Sequence, residues 1–458
     1  MKRSYADIFL ILFFLILVAA ITVGGTYYSV SSNIFDDDQP ARPSSTKINM
    51  ERMALVDSTI DNAICNGEFP GAVVCVVKRA DDNCSMGDVL YLKAYGNLQT
   101  VAGKDPQTGK RVSESIPMRS DAVFDLASLT KTMGTTLAFM RVLEEGKVTL
   151  NSKVKDYIPD FNPWDSIAPA KDSKVVNAAR KPKPVESQDI TVAHLLTHTS
   201  GLPAGIYMPK YMKRFEDYDI EELNLKDSLI HYITHEERRL FRPGTRVCYS
   251  CLNYVVLQHI IEKVTGESLD DYASRTIFSP LQLRNTCWYP TNEPIPEDKL
   301  SLIVPTELQN DGTVLRGQVH DPIARVLNYG VSGNAGLYSN AEDLAVLSSM
   351  IMNRGIVGDV RVLSSATVDA MVRVPERYAE SGRTLGWDGR YDRGGSYGDL
   401  MTPEFVISHT GYTGTSVAID MQRGVAIILL TNRVHPVDKG SVSRTRNVVA
   451  NIVMSAIE

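Results

Sequence analysis

The alternation of apolar and polar positions predicts a helix and two strands near the start of the folded part of the chain. Apolar residues recur at helical spacing from Asn49 to Ala63, and the runs GAVVCVVK (71–78) and VLYLKAYG (89–96) follow as neighbouring strands. A further helical pattern starts near residue 125 and ends at Gly146. The folded part is therefore expected to begin near Ile48.

The middle of the chain is mostly helical, and its final third returns to strands. Residues from about 150 to 300 show helical and loop-like patterns, and a polar, Pro/Lys-rich segment at 164–188 is predicted to be an insertion. Three strand-like runs follow, FVISHTGYTG, TSVAIDMQ and GVAIILLTN, and an amphipathic helix runs from about Val442 to Ile457. Strands at both ends predict an α/β (α+β) fold whose sheet is built from both termini, with an α-helical lobe inserted between them.

The pattern at the N terminus is different. Lys2 and Arg3 precede an apolar run from Ile8 to Val23, which predicts that residues 1–30 are an export signal, either cleaved or kept as a membrane anchor. Positive residues before such a run place the rest of the chain outside the cytoplasm, in the periplasm or at the cell surface. Residues 31–47 are rich in Asp, Pro and Ser, which is typical of a linker.

Composition and charge narrow the possible functions. The chain has 458 residues, so a domain over 48–458 exceeds the comfortable size of one core, and two packed lobes are expected. Its 48 basic and 54 acidic residues give a formal net charge of -6, which argues against a nucleic-acid partner. Six cysteines are too few and too scattered to form a disulfide framework.

The stretch DLASLTKTMG at 125–134 places Ser128 and Lys131 three positions apart. Positions i and i+3 share one face of a helix, so the two side chains can touch there. Such a pair is either a nucleophile with its base, or a helix cap followed by a surface lysine. Two further motifs favour catalysis: Tyr249 in a loop before a strongly periodic helix, and HisThrGly at 409–411 on an edge-like strand.

In this order, the three motifs make the sequence similar to the serine β-lactamase and penicillin-binding-protein superfamily, in particular to its class C-like branch of DD-peptidases and esterases. The resemblance runs from about Glu68 to the C terminus, with supporting blocks at 191–203, 331–347 and 411–420. It implies a β-lactamase/transpeptidase-like fold with an antiparallel sheet flanked by helices. It also implies a serine hydrolase that needs no cofactor or metal and acts on small peptides, esters or β-lactams, with peptidoglycan as a further partner.

The resemblance assigns catalytic roles to individual residues. Ser128 would be the acylated nucleophile, and Lys131 the base that activates it. Tyr249 would pass a proton to the leaving group and later help to activate the hydrolytic water. The backbone N–H groups of Ser128 and Tyr412 would form the oxyanion hole that stabilises the developing negative charge.

His409, Thr410 and Gly411 match the family's substrate-binding strand, but the motifs show two departures. His409 stands where many relatives have lysine. Because an imidazole is only partly charged near neutrality, binding of a substrate carboxylate by His409 is expected to depend on pH. Cys251 stands where the tyrosine motif usually has asparagine, and Asn253 is expected to face elsewhere. These features favour a DD-carboxypeptidase-like or esterase activity, with a class C β-lactamase and a weakly catalytic penicillin-binding sensor as alternatives.

Three other motifs have competing interpretations. GGSYG matches a nucleophile elbow around Ser396, but no apolar strand precedes it, so a glycine-rich loop near the site is expected. Cys248 and Cys251 have the spacing of a CxxC redox pair, although two unpaired side chains are favoured. His231 and His235 share a helix face without an evident third ligand, so no metal site is predicted.

Overall fold

The computed structural model of the chain describes residues 48–161, 189–376, 381–389, 395 and 397–457. The predicted signal or anchor, the linker, the polar insertion and Ser396 lie outside these residues. Within the described ranges, no helix is both long and apolar enough to cross a membrane. The same ranges contain no group of three or more His, Cys, Asp or Glu residues placed to hold a metal ion.

Eleven strands occur in the described part of the chain. In chain order they are β1 (Gly71–Lys78), β2 (Asp88–Lys104), β3 (Arg111–Pro117), β4 (Phe124–Asp125), β5 (Cys287–Trp288), β6 (Leu337–Ser339), β7 (Ile356–Val357), β8 (Val360–Arg361), β9 (Val406–Thr410), β10 (Ser416–Asp420) and β11 (Val425–Thr431).

The α-helices of the described residues lie between and after these strands. They are α1 (Met50–Cys65), α2 (Leu137–Glu144), α3 (Val192–Leu196), α4 (Met208–Met212), α5 (Leu225–His235), α6 (Cys251–Thr265), α7 (Leu269–Ala273), α8 (Glu297–Leu302), α9 (Ala341–Met352), α10 (Ser365–Val372) and α11 (Ser443–Ala456).

The main sheet has six antiparallel strands in the order β3-β2-β1-β11-β10-β9. Strands from the two ends of the chain meet at its centre, where Val73 of β1 pairs with Leu430 of β11. β9 forms one outer edge. Antiparallel strands from both termini, flanked by helices and joined by a helical middle, confirm the predicted fold class.

Helices cover the sheet and supply its apolar core. Met53 and Val56 of α1 pack with Val449 and Val453 of α11 against β1, whose Val74 belongs to the same cluster. Helix α9 also packs against β1 and β11. Because seven of the eight positions of β1 are buried, this strand reads as a continuous apolar run rather than as an alternating one.

One strand of the main sheet was not predicted, and neither were the short strands β4 to β8. β3 pairs with the far end of β2, which continues to Lys104 beyond the predicted end at residue 96. Six of the seven residues of β3 are exposed, so the strand has no apolar face that the sequence pattern could reveal.

The helical middle places a second layer next to the sheet. Helix α6, in which nine of the fifteen residues are buried, packs against α2 and α3. A separate three-stranded sheet has the order β4-β6-β5. Its strand β4 leads directly into the segment that contains Ser128. The N terminus of α6, the end of β4 and the edge strand β9 are the elements that carry the predicted site residues.

Candidate active site

The nucleophile segment begins with a strained turn at the end of β4. Ala127 has a φ of +46°, in the left-handed region that costs a non-glycine residue about 1–2 kcal/mol. The carboxylate of Asp125 holds this turn: one oxygen accepts a hydrogen bond from the Ala127 N–H, and the other accepts one from the His320 N–H, both at 2.8 Å. A 3-10 helix (Ala127–Leu129) follows and carries Ser128.

The amine of Lys131 lies against the hydroxyl of Ser128. Its Nζ is 3.0 Å from Ser128 Oγ, 2.8 Å from the main-chain oxygen of Asn334 and 3.5 Å from Cys251 Sγ. The side chain is fully buried. The predicted pair is therefore in hydrogen-bond contact, and the Asn334 carbonyl, which carries no signal in the sequence, fixes the amine in place.

Two opposing effects act on the pKa of Lys131. Burial lowers it, whereas negative charge on Cys251 and Tyr249 raises it, and the net direction is upward. The charge of Asp321 is a further cause that raises the pKa. Burial is the largest single cause, and burial favours the uncharged amine that a base requires.

Tyr249 lies in a ring of aromatic and basic groups. Its ring centroid is 5.1 Å from Lys131 Nζ, 4.5 Å from the ring of His198 and 5.9 Å from the ring of His409. The guanidinium of Arg383 lies 5.6 Å from the same centroid. The structure thus brings Tyr249 to Ser128 and Lys131 and adds two neighbours, His198 and Arg383, that the motifs did not indicate as parts of the site.

Cys251 is the first residue of α6, and its sulfur faces the Lys131 amine. The amide of Asn253 is engaged elsewhere: its Oδ1 accepts a 2.6 Å hydrogen bond from Ser200, and its Nδ2 is 3.2 Å from His198 Nδ1. The Lys131 amine is thus contacted at this position by a thiol rather than by an amide. Cys248 and Cys251 are both free thiols, as are the other four cysteines.

A cavity of about 500 Å³ opens at the edge strand β9. The residues that line it include Ser128 and Tyr249 from the first two motifs, and His409, Thr410, Gly411 and Tyr412 from the end of β9 and the turn after it. All eight predicted site residues except Lys131 and Cys251 line this cavity, and those two contact each other behind Ser128.

His409 is neutral in this environment. Burial, followed by the positive charges of Lys131 and Arg383, holds the pKa of His409 well below its usual range. The change of charge that the sequence led us to expect near neutrality is therefore displaced to lower pH. The buried His198 has a lowered pKa for the same reasons, with burial again the largest cause.

Three arginines line the cavity and were missed by sequence reasoning: Arg383, Arg433 and Arg446. The acidic side chain among the lining residues is that of Asp388, whose Oδ2 is 3.7 Å from Arg383 Nη2. In Arg383, the Nε and Nη1 atoms are buried and have no hydrogen-bond partner among the described residues. Single arginines in loops form no periodic pattern, so only the folded chain reveals them as neighbours of the motifs.

The histidine pair of α5 is not among the residues that line the cavity. His231 and His235 are exposed on α5, with ring centroids 4.4 Å apart. Ser396 is outside the described residues, although its neighbour Gly395 lines the cavity. His320 stacks on the ring of Tyr412 at 5.7 Å.

The sequence of this chain matches a known family over most of its length: residues 56–451 match the Beta-lactamase family. Fold and match together define a hydrolase of the serine β-lactamase and penicillin-binding-protein class. The chain belongs to the β-lactamase family, as the resemblance had indicated.

Two relatives are similar over nearly the whole chain. A protein of Bacillus subtilis (strain 168) named N-acetylmuramyl-L-alanine amidase is 30% identical over 404 residues, covering 85% of this chain and 83% of the relative. A protein of Escherichia coli (strain K12) named as a D-alanyl-D-alanine carboxypeptidase is 30% identical over 423 residues, covering 89% of this chain and 88% of the relative.

Solved structures share the fold at lower identity. EstCE1, described as a hydrolase with promiscuous acyltransferase activity, has a TM-score of 0.62 and 22% identity, covering 88% of this chain and 99% of its own. An octameric penicillin-binding protein homologue from Pyrococcus abyssi has a TM-score of 0.56 and 21% identity, covering 88% of this chain and 76% of its own. The predicted fold and enzyme class are confirmed.

Proposed function

We propose that this protein is an exported hydrolase that forms an acyl-enzyme at Ser128 and cleaves an amide bond next to a carboxylate in cell-wall peptides. The observation that carries the proposal is the 3.0 Å contact between Lys131 Nζ and Ser128 Oγ, beside a cavity lined by Arg383, whose buried Nε and Nη1 atoms have no hydrogen-bond partner among the described residues. A D-alanyl-D-alanine peptide fits this chemistry, since its scissile amide is followed by a free carboxylate.

The chemistry begins with neutral Lys131. Its amine takes the proton of Ser128 as Oγ forms a bond to the substrate carbonyl carbon. The carbonyl oxygen becomes negatively charged and accepts hydrogen bonds from the Ser128 and Tyr412 N–H groups. Among the described residues, neither N–H has a hydrogen-bond partner, so both are available to the oxyanion.

Breakdown of the tetrahedral intermediate requires a proton on the leaving nitrogen. Tyr249 supplies it and is reprotonated from Lys131, 5.1 Å from the Tyr249 ring centroid. The C–N bond breaks and the amine leaves, with the acyl group on Ser128. Deacylation uses the same groups in the reverse order. Water loses a proton to the Tyr249 and Lys131 pair and attacks the ester carbonyl, and the intermediate then breaks down to release the acid and the Ser128 hydroxyl.

Arg383 is the group best suited to hold the substrate carboxylate. A guanidinium has five N–H donors in a fixed fork, and two nitrogen atoms of Arg383 have no hydrogen-bond partner in the part of the chain that the structure describes. Asp388 reaches only Nη2 of Arg383, at 3.7 Å, and leaving buried donors of a charged group without acceptors is costly, so a substrate carboxylate would be favoured as an acceptor for the other two nitrogen atoms. Thr410 lines the same cavity and offers a hydroxyl. The carboxypeptidase and amidase names of the 30% identical relatives support a peptide substrate.

The position of Cys251 favours peptides and small esters over β-lactams. In the family pattern, an asparagine at this position would hold the acylamide carbonyl of a β-lactam, whereas a thiol is a weak donor and a weak acceptor. Ester hydrolysis is therefore the second candidate function, because an ester depends mainly on the oxyanion hole. Export is proposed from the N-terminal pattern, where two basic residues precede the apolar run from Ile8 to Val23.

A labelling experiment combined with a substrate panel tests the proposal. The purified protein is treated with fluorescent penicillin and with a fluorophosphonate, and the adduct is located by mass spectrometry. The adduct is expected on the peptide that contains Ser128. Turnover is then compared for a D-alanyl-D-alanine peptide, its C-terminal amide, a chromogenic ester and a cephalosporin. We expect the free-acid peptide to be preferred over its amide. An adduct on Ser396, or lasting label without any turnover, contradicts the proposal.

A further inference from the structure

The turn after β9 presents the Tyr412 N–H to the cavity. Gly411 N donates to Thr415 O at 2.7 Å, and Gly414 N donates to Gly411 O at 3.1 Å, so the turn is closed by its own main chain. These bonds leave the Tyr412 N–H without a partner among the described residues. A tight turn alone, however, does not determine how strongly or in which direction this N–H donates.

Two arginines hold the peptide groups on both sides of the Tyr412 Cα. Arg446 Nη2 donates to the carbonyl of Gly411 at 3.3 Å and to that of Thr415 at 2.9 Å. Arg433 donates to the carbonyl of Tyr412 itself, from Nε at 3.1 Å and from Nη2 at 2.5 Å. Both arginines come from elsewhere in the fold, Arg433 from the loop after β11 and Arg446 from α11.

The side chain of Tyr412 is fixed by the same set of groups. Its hydroxyl donates to Asp438 Oδ2 at 2.5 Å, and the other oxygen of Asp438 accepts from Arg433 Nη1 at 2.8 Å. The Arg433 guanidinium also lies 4.8 Å from the centre of the Tyr412 ring. The ring is 57% exposed, so an aromatic side chain that water largely surrounds is nevertheless held by an ion pair.

We propose that Arg433 and Arg446 are positioning residues that orient and strengthen the Tyr412 N–H as a donor of the oxyanion hole. The inference rests on the proposed function, because it needs an oxyanion at Ser128. The Gly411 carbonyl and the Tyr412 N–H belong to one peptide group, so a cation at the carbonyl polarises the amide and makes its N–H a better donor. The bonds from Arg433 stop the next peptide group from rotating, so little reorganisation is needed when charge develops.

The bonding pattern separates these arginines from Arg383. All three nitrogen atoms of Arg433 already donate to Tyr412, Asp438 or Gly440. Two nitrogen atoms of Arg383 have no partner among the described residues. The donors of Arg433 are therefore used within the protein, whereas two nitrogen atoms of Arg383 remain able to bind the substrate.

The test compares kinetic constants for Arg433→Gln, Arg433→Lys and Arg446→Gln with an uncharged ester and its thionoester, in which sulfur replaces the carbonyl oxygen. Sulfur accepts hydrogen bonds weakly, so the thionoester gains less from the oxyanion hole, and the ester-to-thionoester rate ratio measures donor strength. Active sites are titrated with the fluorophosphonate so that kcat refers to folded enzyme only. Asp438→Asn serves as a milder variant in case the arginine variants fold poorly.

For Arg433→Gln and Arg446→Gln we expect kcat on the ester to fall by about 10- to 100-fold, less than for complete loss of a donor, with little change in KM. The ester-to-thionoester rate ratio should fall together with kcat. In Arg433→Lys, part of the kcat and part of the rate ratio should be recovered. Arg316→Gln is the matched control, since Arg316 Nε and Nη2 also donate to main-chain carbonyls, at 2.9 Å, but Arg316 does not line the cavity. Its rate ratio should remain that of the wild type.

Two results would overturn the inference. If the variants raise KM only for carboxylate-bearing substrates and leave the rate ratio unchanged, the arginines bind substrate instead. If they reduce the number of titratable sites without changing kcat per site, their role is only structural. Turnover of the ester by Ser128→Ala would instead show that the proposed function is wrong, whatever the arginine variants do.

Discussion

The hydroxyl of Thr413 donates a 2.8 Å hydrogen bond to the main-chain carbonyl of Asp125. Next to it, Thr415 Oγ1 donates to the carbonyl of Leu126 at 3.0 Å. These two bonds join the turn after β9 to the segment that leads into Ser128, so the two N–H groups of the proposed oxyanion hole are held at a fixed separation although they lie far apart in sequence.

Removing the nucleophile should abolish chemistry and preserve the fold. For Ser128→Ala we expect no covalent label and no turnover, whereas the free energy of unfolding should change by only about 1 kcal/mol, the usual net contribution of one hydrogen bond. Labelling with fluorophosphonate and urea unfolding measure the two effects separately. Retained labelling in this variant would place the nucleophile elsewhere.

The charge of Lys131 and its basicity can be separated. Lys131→Arg keeps the positive charge but cannot release its proton, so it should lose nearly as much kcat as Lys131→Ala. A loss of about 100- to 10,000-fold is expected for a general base. Pre-steady-state acylation rates are the appropriate measurement. An arginine variant with most of the wild-type acylation rate would mean that Lys131 acts only through its charge.

Arg383 should determine the preference for a carboxylate. For Arg383→Gln we expect KM for the D-alanyl-D-alanine peptide to rise by about 10-fold or more, as for loss of a charge-assisted hydrogen bond, while KM for the uncharged ester stays close to that of the wild type. Arg373→Gln, at an exposed arginine just after α10, is the control. Equal effects on peptide and ester would remove the argument for a carboxylate subsite.

Cys251 should tune the choice between β-lactams and esters. Restoring the amide with Cys251→Asn should raise cephalosporin turnover relative to ester turnover, by the equivalent of about 1–3 kcal/mol for a buried hydrogen bond. The ratio of the two kcat/KM values should be measured at one fixed pH. Efficient cephalosporin hydrolysis by the wild type, or an unchanged ratio in the variant, would show that position 251 does not set this specificity.

Stability should fall on the acidic side of neutrality. The pKa values of buried His198 and His409 are well below their usual value of 6.5 in the folded protein, with burial as the largest cause. Below about pH 6.5 only the unfolded chain takes up these protons, so the free energy of unfolding decreases as pH falls and is insensitive to these groups above pH 6.5.

The contribution of one histidine is at most about 1.4 kcal/mol per pH unit. Urea unfolding from pH 5 to pH 8 should therefore show a smaller slope for His409→Gln than for the wild type. His231→Gln, at an exposed histidine on α5, should leave the slope unchanged. If the two variants have identical slopes, His409 is not held neutral by the fold.

Much of the fold was predictable because its elements have strong local signals. The apolar run of β1 and the helical spacing in α11 each follow from burial against one core. The contact between Ser128 and Lys131 followed from helical geometry, since two positions three apart on a helix lie on one face. Their roles in catalysis remain predictions that the experiments above address.

Other parts of the site depend on contacts that no local pattern records. The Asn334 carbonyl that binds Lys131 is a main-chain group, and any residue type could supply it. Arg383 and Arg433 reach the cavity from loops, where side chains follow no period. The strain at Ala127 is likewise invisible in the sequence, because alanine normally avoids a positive φ.

The pairing of β1 with β11 also has a consequence for synthesis of the protein. β1 leaves the ribosome early, but its central partner is translated only near the end of the chain. The neighbouring strand β2 can cover one edge of β1, but until β11 is made the other edge of this apolar strand is unpaired and prone to aggregate, and its correct pairing requires closure of a very long loop. A nascent chain that is interrupted before Val425 would therefore lack the partner strand that completes its central sheet.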